Sequence, residues 1–377
     1  MADQKATTSD DDKRPDQISF LRTVNAFRQY ATSARHQLEA RKESVAGLSD
    51  EHRKVLGGDD VVSSMFAPHE IAIEQNQRFL DSIVKESETL YHSYWPSPPS
   101  PPPQDGELRP NALDLDKVHS TLRQFVRDWS AEGFQERDSV FRPIMTALQK
   151  ALPNPRGKKI LVPGAGLSRL SVDLAACGFD VQGNEFSYHM LIGGHFAMNH
   201  CENSGEHLIQ PFCDGTINNF SRRDQFRVVP IPDVSAYQMM DHAEARGIQF
   251  GQLSMVAGDF TEVFKKPSQC GAWDSVVTCF FIDTAHNIVE YIQILFDLLA
   301  PGGIWVNVGP LLFHFSDQLG EVSVDVTYEE LKVIVQNVGF EVVDEATVTT
   351  SYTNNSQSMK QMLYHCPFFA CRKPASE

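Results

Sequence analysis

Between residues 20 and 93 apolar side chains recur at helical spacing, most clearly at Ile73, Leu80, Ile83 and Leu90, in a background rich in Gln, Glu, Arg and Ala. That spacing lays one apolar stripe along each helix, and the segment is predicted as a helical extension. The stripe stops at Trp95-Pro-Ser-Pro-Pro-Ser-Pro-Pro-Pro. So many prolines forbid a helix and favour extended, polyproline-like backbone, so the run reads as a linker. A second helical stretch, about Leu113 to Leu152, carries Val118, Leu122, Phe125, Val126 and Trp129 on neighbouring turns. From Lys158 onward short apolar runs alternate with helical patterns: Ile160 to Val162, Phe179 to Gly183, Leu253 to Gly258, Ser275 to Phe281 and Ile304 to Val308. Near-continuous apolar strands between helices indicate a parallel sheet covered on both faces. Two more β-like segments, Phe340 to Val348 and Pro367 to Arg372, flank no further helix and read as a closing hairpin-like pair. The predicted class is α/β, a doubly wound, mostly parallel seven-stranded sheet behind an N-terminal helical extension.

The division that follows is an acidic, disordered tail over 1–19, a helical extension over 20–107 ending in the Pro-rich linker, and a catalytic domain over 108–377. The stretch 197–252 is too long for a simple crossover and is predicted as an insertion with its own helices and loops, of the kind that shapes substrate pockets.

Composition narrows the partners. The 377 residues carry 33 Lys and Arg against 49 Asp and Glu, a formal charge of −16, which repels a phosphate backbone and argues against nucleic acid. Seven cysteines without a CxxC pair read as reduced thiols, arguing against zinc and disulfides and for a cytoplasmic or nuclear protein. The N-terminus lacks the apolar core of a signal peptide, and no apolar run approaches the ~18 residues of a membrane helix.

The candidate chemistry begins at Ile160-Leu-Val-Pro-Gly-Ala-Gly-Leu-Ser-Arg-Leu, which places Gly164 and Gly166 at a strand end just before a helix. Glycine there lets the chain turn tightly and lets a ligand lie against main-chain N–H groups. The match to the usual methyl-donor loop is partial, because Val162 stands where an acid is usual and Ser168 where a third glycine is usual. A plain strand-to-helix turn therefore stays open. Glu185 follows the second strand where α/β nucleotide folds place an acid on ribose hydroxyls, which favours S-adenosylmethionine over a phosphorylated dinucleotide. Asp259 and Phe260 end the third strand with an acceptor for an adenine amino group and an aromatic face, although Asp259 is equally well placed as a helix N-cap. A dehydrogenase using NAD is the competing reading of the same loop.

Taken with Gln124-Phe-Val-Arg-Asp-Trp, Gln182-Gly-Asn-Glu-Phe-Ser, Thr278-Cys-Phe-Phe-Ile-Asp-Thr-Ala-His-Asn and Gly303-Ile-Trp-Val-Asn-Val-Gly-Pro-Leu-Leu-Phe-His-Phe, the chain resembles the carnosine N-methyltransferase family over most of residues 112 to 373. The resemblance implies a Rossmann-like fold that moves a methyl group from S-adenosylmethionine, without a metal, to an imidazole nitrogen of a histidine-containing dipeptide such as carnosine, giving anserine. It implies donor contacts at Gln124, Arg127, Gly164, Glu185, Asp259, Phe260 and Cys270, beside the loop's own Gly166, and dipeptide contacts at Asp283, His314 and Tyr364. Each has a plainer alternative. Arg127 has Asp128 and Glu132 near it for an ion pair, Asp283 stands where it could cap a helix, His314 lies between two phenylalanines, and Tyr364 shares the last β region with Tyr352. Against this enzyme stand a methyltransferase for peptide or protein histidine and a non-catalytic donor-binding scaffold. The N-terminal helices are the candidate contact of a homodimer.

Overall fold

A computed structural model describes residues 2–5 and 10–375 of the chain. A short strand β1 (Ala2–Lys5) precedes four helices: α1 (Asp10–Arg28), α2 (Tyr30–Ala46), α3 (Asp50–Val55) and the long α4 (Asp59–Tyr94). Two more, α5 (Ala112–Trp129) and α6 (Phe134–Ala151), lead into the sheet. The alternation then runs β2 (Lys159–Pro163), α7 (Arg169–Ala176), β3 (Asp180–Glu185) and α8 (Tyr188–Asn199). An insertion follows, containing β4 (His207–Ile209), α9 (Arg222–Gln225), β5 (Val229–Ile231) and α10 (Ala236–Ala245). The chain returns through β6 (Leu253–Ala257), α11 (Phe260–Phe264), β7 (Trp273–Cys279), α12 (Ile288–Leu298), β8 (Leu299–Val308), α13 (Tyr328–Val338), β9 (Glu341–Thr350) and β10 (Tyr364–Arg372).

The seven expected strands form one sheet in the order β6-β3-β2-β7-β8-β10-β9, with β1 added in parallel on the β6 edge. All neighbours pair in parallel except β10, which runs antiparallel to both β8 and β9. The order reverses at β2, with β3 on one side and β7 on the other, so a crevice opens beyond the carboxyl ends of these strands. Ile160, Leu161 and Val162 are buried because helices cover both faces there. Within the insertion, β4 and β5 form a separate antiparallel pair.

The N-terminus differs from its sequence-based division. Residues 10–19, expected in a solvated tail, open α1, because Ile18, Phe20, Val24 and Phe27 form an apolar stripe that must be covered. Of the expected tail, residues 1 and 6–9 lie outside the described residues. The Pro-rich segment is strapped to α1 instead of hanging free. Gln17 Nε2 donates to Ser97 O (2.9 Å), Arg14 Nε to Pro101 O (3.0 Å) and Asn25 Nδ2 to Leu108 O (3.0 Å). The helices before the linker also share one hydrophobic core with the sheet. Phe79 of α4 meets Phe125 of α5 edge to face at 5.0 Å, Phe27 meets His189 of α8 at 5.4 Å, and Phe20 meets Tyr188 at 5.6 Å. Among the described residues, no helix is long and apolar enough to cross a membrane.

Candidate active site

The crevice is built first by the turn after β2. Gly164 and Gly166 both take positive φ (+66° and +56°), the left-handed region that costs glycine nothing. At Gly164 space matters as much as φ, since a Cβ would lie 2.5 Å from a ring carbon of Phe281. Ser168, where a third glycine is usual, sits at φ +67° and precedes α7. The serine adopts the conformation the glycine pattern encodes, at a cost of about 1–2 kcal/mol that its buried surroundings offset. Departure from the pattern in residue type is therefore no departure in backbone shape.

Glu185, at the end of β3, braces this turn. Its carboxylate accepts from the N–H groups of Gly166, Phe186 and Ser187, each at 2.8 Å. Burial pushes its pKa up, and the three donors pull it back down without fully cancelling the rise. The third wall comes from the last turns of α5, a helix started by a capping box of Asn111 and Asp114. Its end presents Gln124, Arg127 and Asp128, all buried. Asp128 accepts from Gln124 Nε2 at 2.8 Å and from Arg127 at 2.6 Å, while Glu136 of α6 lies 3.3 Å from Arg127 Nε. Burial opposes the Arg127 charge, but Asp128, with Tyr352, Cys279 and Glu136 behind it, holds the guanidinium above its ordinary pKa.

That helix end is itself held by a buried charge cluster. Arg137 donates to the carbonyls of Arg127 and Ser130, and Arg169 to the carbonyl of Asp128 (3.0 Å). Asp233, from the insertion, bridges the two guanidiniums at 2.6 and 2.7 Å, and its own N–H donates to Trp129 O. Helix-terminal carbonyls have no intrahelical donor, so two arginines stand in for the missing turn.

Together these groups enclose a narrow cleft of about 50 Å³ lined by Gln124, Arg127, Asp128, Gly164 to Gly166, Cys279, Phe280 and Tyr352. Burial pushes the Cys279 thiol up to about 11, so it is a neutral thiol. Just beyond Phe280 the chain makes a short 3₁₀ turn, Ile282–Thr284, that carries Asp283. Asp283 is buried, its Oδ2 accepts from Leu312 N at 2.9 Å, and its backbone O accepts from His314 N at 3.0 Å. Burial raises its pKa, offset in part by the Leu312 N–H and by His314. His314 is exposed, and Tyr364 packs edge-on to Phe280 at 6.0 Å with its hydroxyl donating to Met362 Sδ. Of the five non-glycine residues at positive φ among the described residues, Ser168, Phe280, Phe313 and Thr353 stand in or beside these segments. Such strain persists only where surrounding packing enforces it, and it concentrates at working sites.

A family model described as Carnosine N-methyltransferase matches residues 104–375. Over 377 aligned residues the chain is 37% identical to the carnosine N-methyltransferase of Mus musculus, covering 97% of this chain and 89% of that protein. The Schizosaccharomyces pombe carnosine N-methyltransferase is 34% identical, with 93% and 94% covered, and the Drosophila melanogaster one, unmet, is 34% identical, with 99% and 84% covered. The chain belongs to the carnosine N-methyltransferase family.

Within this family member, Gln124, Arg127, Gly164 and Gly166 line one cleft, with Glu185 bonded to its floor. Asp283 and His314 lie outside that lining and are joined to each other by the His314 N–H to Asp283 O bond. The remaining expected positions fall elsewhere. Asp259 caps α11, its Oδ1 accepting from the N–H groups of Thr261 and Glu262. Phe260 is buried in an aromatic cluster with Phe281 and Tyr291, presenting no open face. Cys270 is exposed on the loop before β7 and does not line the cleft. Sequence reasoning missed Cys279, Phe280 and Tyr352 as lining groups. The signal for the first two lay inside the motif ending at Asp283, while Tyr352 reaches Arg127 (4.8 Å) only through the β9–β10 fold-back.

Proposed function

We propose that this carnosine N-methyltransferase family member transfers a methyl group from S-adenosylmethionine to an imidazole nitrogen of carnosine, or of a closely related histidine dipeptide, giving anserine in the first case. The observation that carries the reading is the 280–283 segment, where Phe280 lines the glycine-turn cleft and Asp283, three residues on, faces His314.

The cleft residues suit the donor. At Gly166 a Cβ would meet nothing nearer than 3.8 Å, leaving main chain open to a ligand. Arg127 Nε is buried and faces Glu136 at 3.3 Å without a formed hydrogen bond, so an incoming carboxylate can compete for that donor. Asp128 and Glu185 add negative charge that favours a cation. Bound there, S-adenosylmethionine supplies an electrophilic methyl group on a sulfonium.

The chain's task is then to orient the acceptor. An imidazole of ordinary pKa, about 6.5, is mostly neutral at pH 7 and needs no strong base. Asp283 accepts the N–H of one ring nitrogen, which fixes the tautomer and leaves the other nitrogen's lone pair facing the methyl carbon. The new N–C bond forms as the S–C bond breaks, with its electron pair left on sulfur. The ring becomes cationic, and Asp283, stabilising that charge, takes the N–H proton and restores neutrality. His314 and Tyr364 complete the pocket around the ring. Cys279 stays protonated and does not compete for the methyl group. All seven cysteines are free, which supports a reducing compartment, the cytoplasm or the nucleus.

The test is methyl transfer to carnosine, homocarnosine, histidine and histidine peptides, with mass spectrometry of the products. Asp283→Asn and His314→Ala should each lower turnover by roughly a hundredfold with donor affinity retained. Near-normal turnover in both variants would remove this assignment.

A further inference from the structure

Glu136, unmarked by any sequence motif, touches both halves of the site. It is the third residue of α6, and its side chain is 11% exposed. Oε1 faces Arg127 Nε at 3.3 Å and also accepts from Thr353 N at 2.7 Å. Oε2 accepts from Ser351 Oγ at 2.6 Å and Asn354 N at 3.2 Å. Between those anchors, the Tyr352 ring lies over Arg127 and packs on Phe280 at 4.7 Å. One carboxylate therefore holds the donor-side arginine and the start of the 351–363 loop, whose far end is Tyr364.

The cleft beneath Tyr352 measures about 50 Å³. Sites that enclose a small molecule span roughly 300–1,000 Å³, so this one must widen to admit a ligand. Most of its walls are strand, helix or glycine turn. Tyr352 stands on a loop, and that loop is held in place by side-chain and backbone bonds to Glu136. Thr353, the next residue, has φ +49°, a conformation that rests on those bonds.

We propose that Glu136 is a positioning residue that couples the donor cleft to the acceptor loop. The inference rests on the proposed methyl transfer. An anion arriving at Arg127 competes with Glu136 for the guanidinium. Glu136, relieved of that partner, gives its full charge to the three loop donors at 351–354. The 351–354 backbone tightens on Glu136 around the widened cleft, and Tyr364 is fixed for the acceptor, so donor binding comes first and acceptor binding second.

The experiment measures hydrogen exchange across 351–363 in the full-length protein with and without S-adenosylhomocysteine as the probe. It compares wild type, Glu136→Gln and Ser351→Ala, alongside calorimetric probe affinity and steady-state kinetics with carnosine. In wild type the probe should slow exchange at 351–354. In Glu136→Gln, which keeps the shape and removes the charge, the probe should still bind but no longer slow the loop, and carnosine KM should rise roughly tenfold with kcat changed far less. Ser351→Ala, which touches the loop but not Arg127, should raise KM less and leave probe affinity unchanged. Wild-type protein that binds the probe with no change in 351–354, or a Glu136→Gln variant that loses probe affinity and kcat together, would overturn the coupling. A wild-type chain that binds no probe and methylates no imidazole defeats the functional reading itself, and this inference with it.

Discussion

Asp233 offers a demanding test of how the site is held, because it sits in the insertion and reaches the site through Arg137 and Arg169. In Asp233→Ala the Arg137 and Arg169 side chains, 3% and 8% exposed, lose bonds of 2.6 and 2.7 Å. Arg169 keeps Asp173 at 3.2 Å, but Arg137 keeps only backbone carbonyls. Removing one partner of a buried ion pair costs about 3–5 kcal/mol, most of it from the charge left behind. Here two cations share that loss and one retains a carboxylate, so about 3 kcal/mol is expected from the midpoint of urea unfolding at unchanged m-value. The carbonyls of Arg127, Asp128 and Ser130 are then less firmly held, and donor affinity should fall along with stability. The assay includes Arg137→Met and the double variant. If the ion pair is the cause, the double variant should be more stable than the sum of the single losses predicts, by about 1–3 kcal/mol. Asp233→Ala within 1 kcal/mol of wild type, or strict additivity in the cycle, would refute the argument.

Gly164→Ala forces a side chain to φ +66° and against Phe281. It should cost about 2–5 kcal/mol and abolish donor binding, read by unfolding and calorimetry. His189 donates from Nε2 to Asp114 O and is buried, and burial lowers its pKa to about 4 from 6.5. The unfolded chain therefore binds the proton more readily, so this contribution is complete above pH 6.5 and is lost as pH falls toward 4, by up to roughly 3 kcal/mol. His189→Gln should flatten that part of the stability–pH profile, and an unchanged slope would exclude His189 as its source. Cys270→Ser should leave donor affinity unchanged, since the thiol is exposed and outside the cleft; a clear loss would return it to the donor site.

Features written in local pattern were legible from the sequence alone. The strand runs, the glycine turn and the closing β9–β10 pair depend on residues within a few positions of one another, and periodicity reports them. The acid at 185 was also legible, because strand length fixes its distance from the turn. Ser168 was not, since nothing in a serine announces a left-handed backbone that tertiary packing enforces. The setting of Phe260 was not legible for a related reason: an aromatic after a strand can face a ligand or a core, and here Phe281 and Tyr291 pack against it. The Asp233 bridge and the Glu136 latch join positions far apart in the chain, whose charges look like ordinary surface residues until the fold brings them under cover. The start of α1 was hidden by the acidic run ahead of it, which matched a tail in composition while Ile18 and Phe20 already belonged to the core.

The helices before the prolines share their core with α5 and α8, and this has a consequence for how the protein is made. Synthesis delivers α1 to α4 first; Phe20 can already pack on Tyr91 and Trp95, but Tyr188, His189 and Phe125, which meet Phe20, Phe27 and Phe79 in the fold, are still untranslated. For seconds the nascent chain carries an uncovered apolar surface, a natural client for a chaperone at the ribosome exit. The same logic bears on fragments: one starting at residue 104, where the family match begins, would keep every cleft residue yet expose Phe125, Tyr188 and His189 to water. The catalytic region and the folding unit thus have different boundaries, and activity should be lost from such a fragment through aggregation before any chemical group is touched.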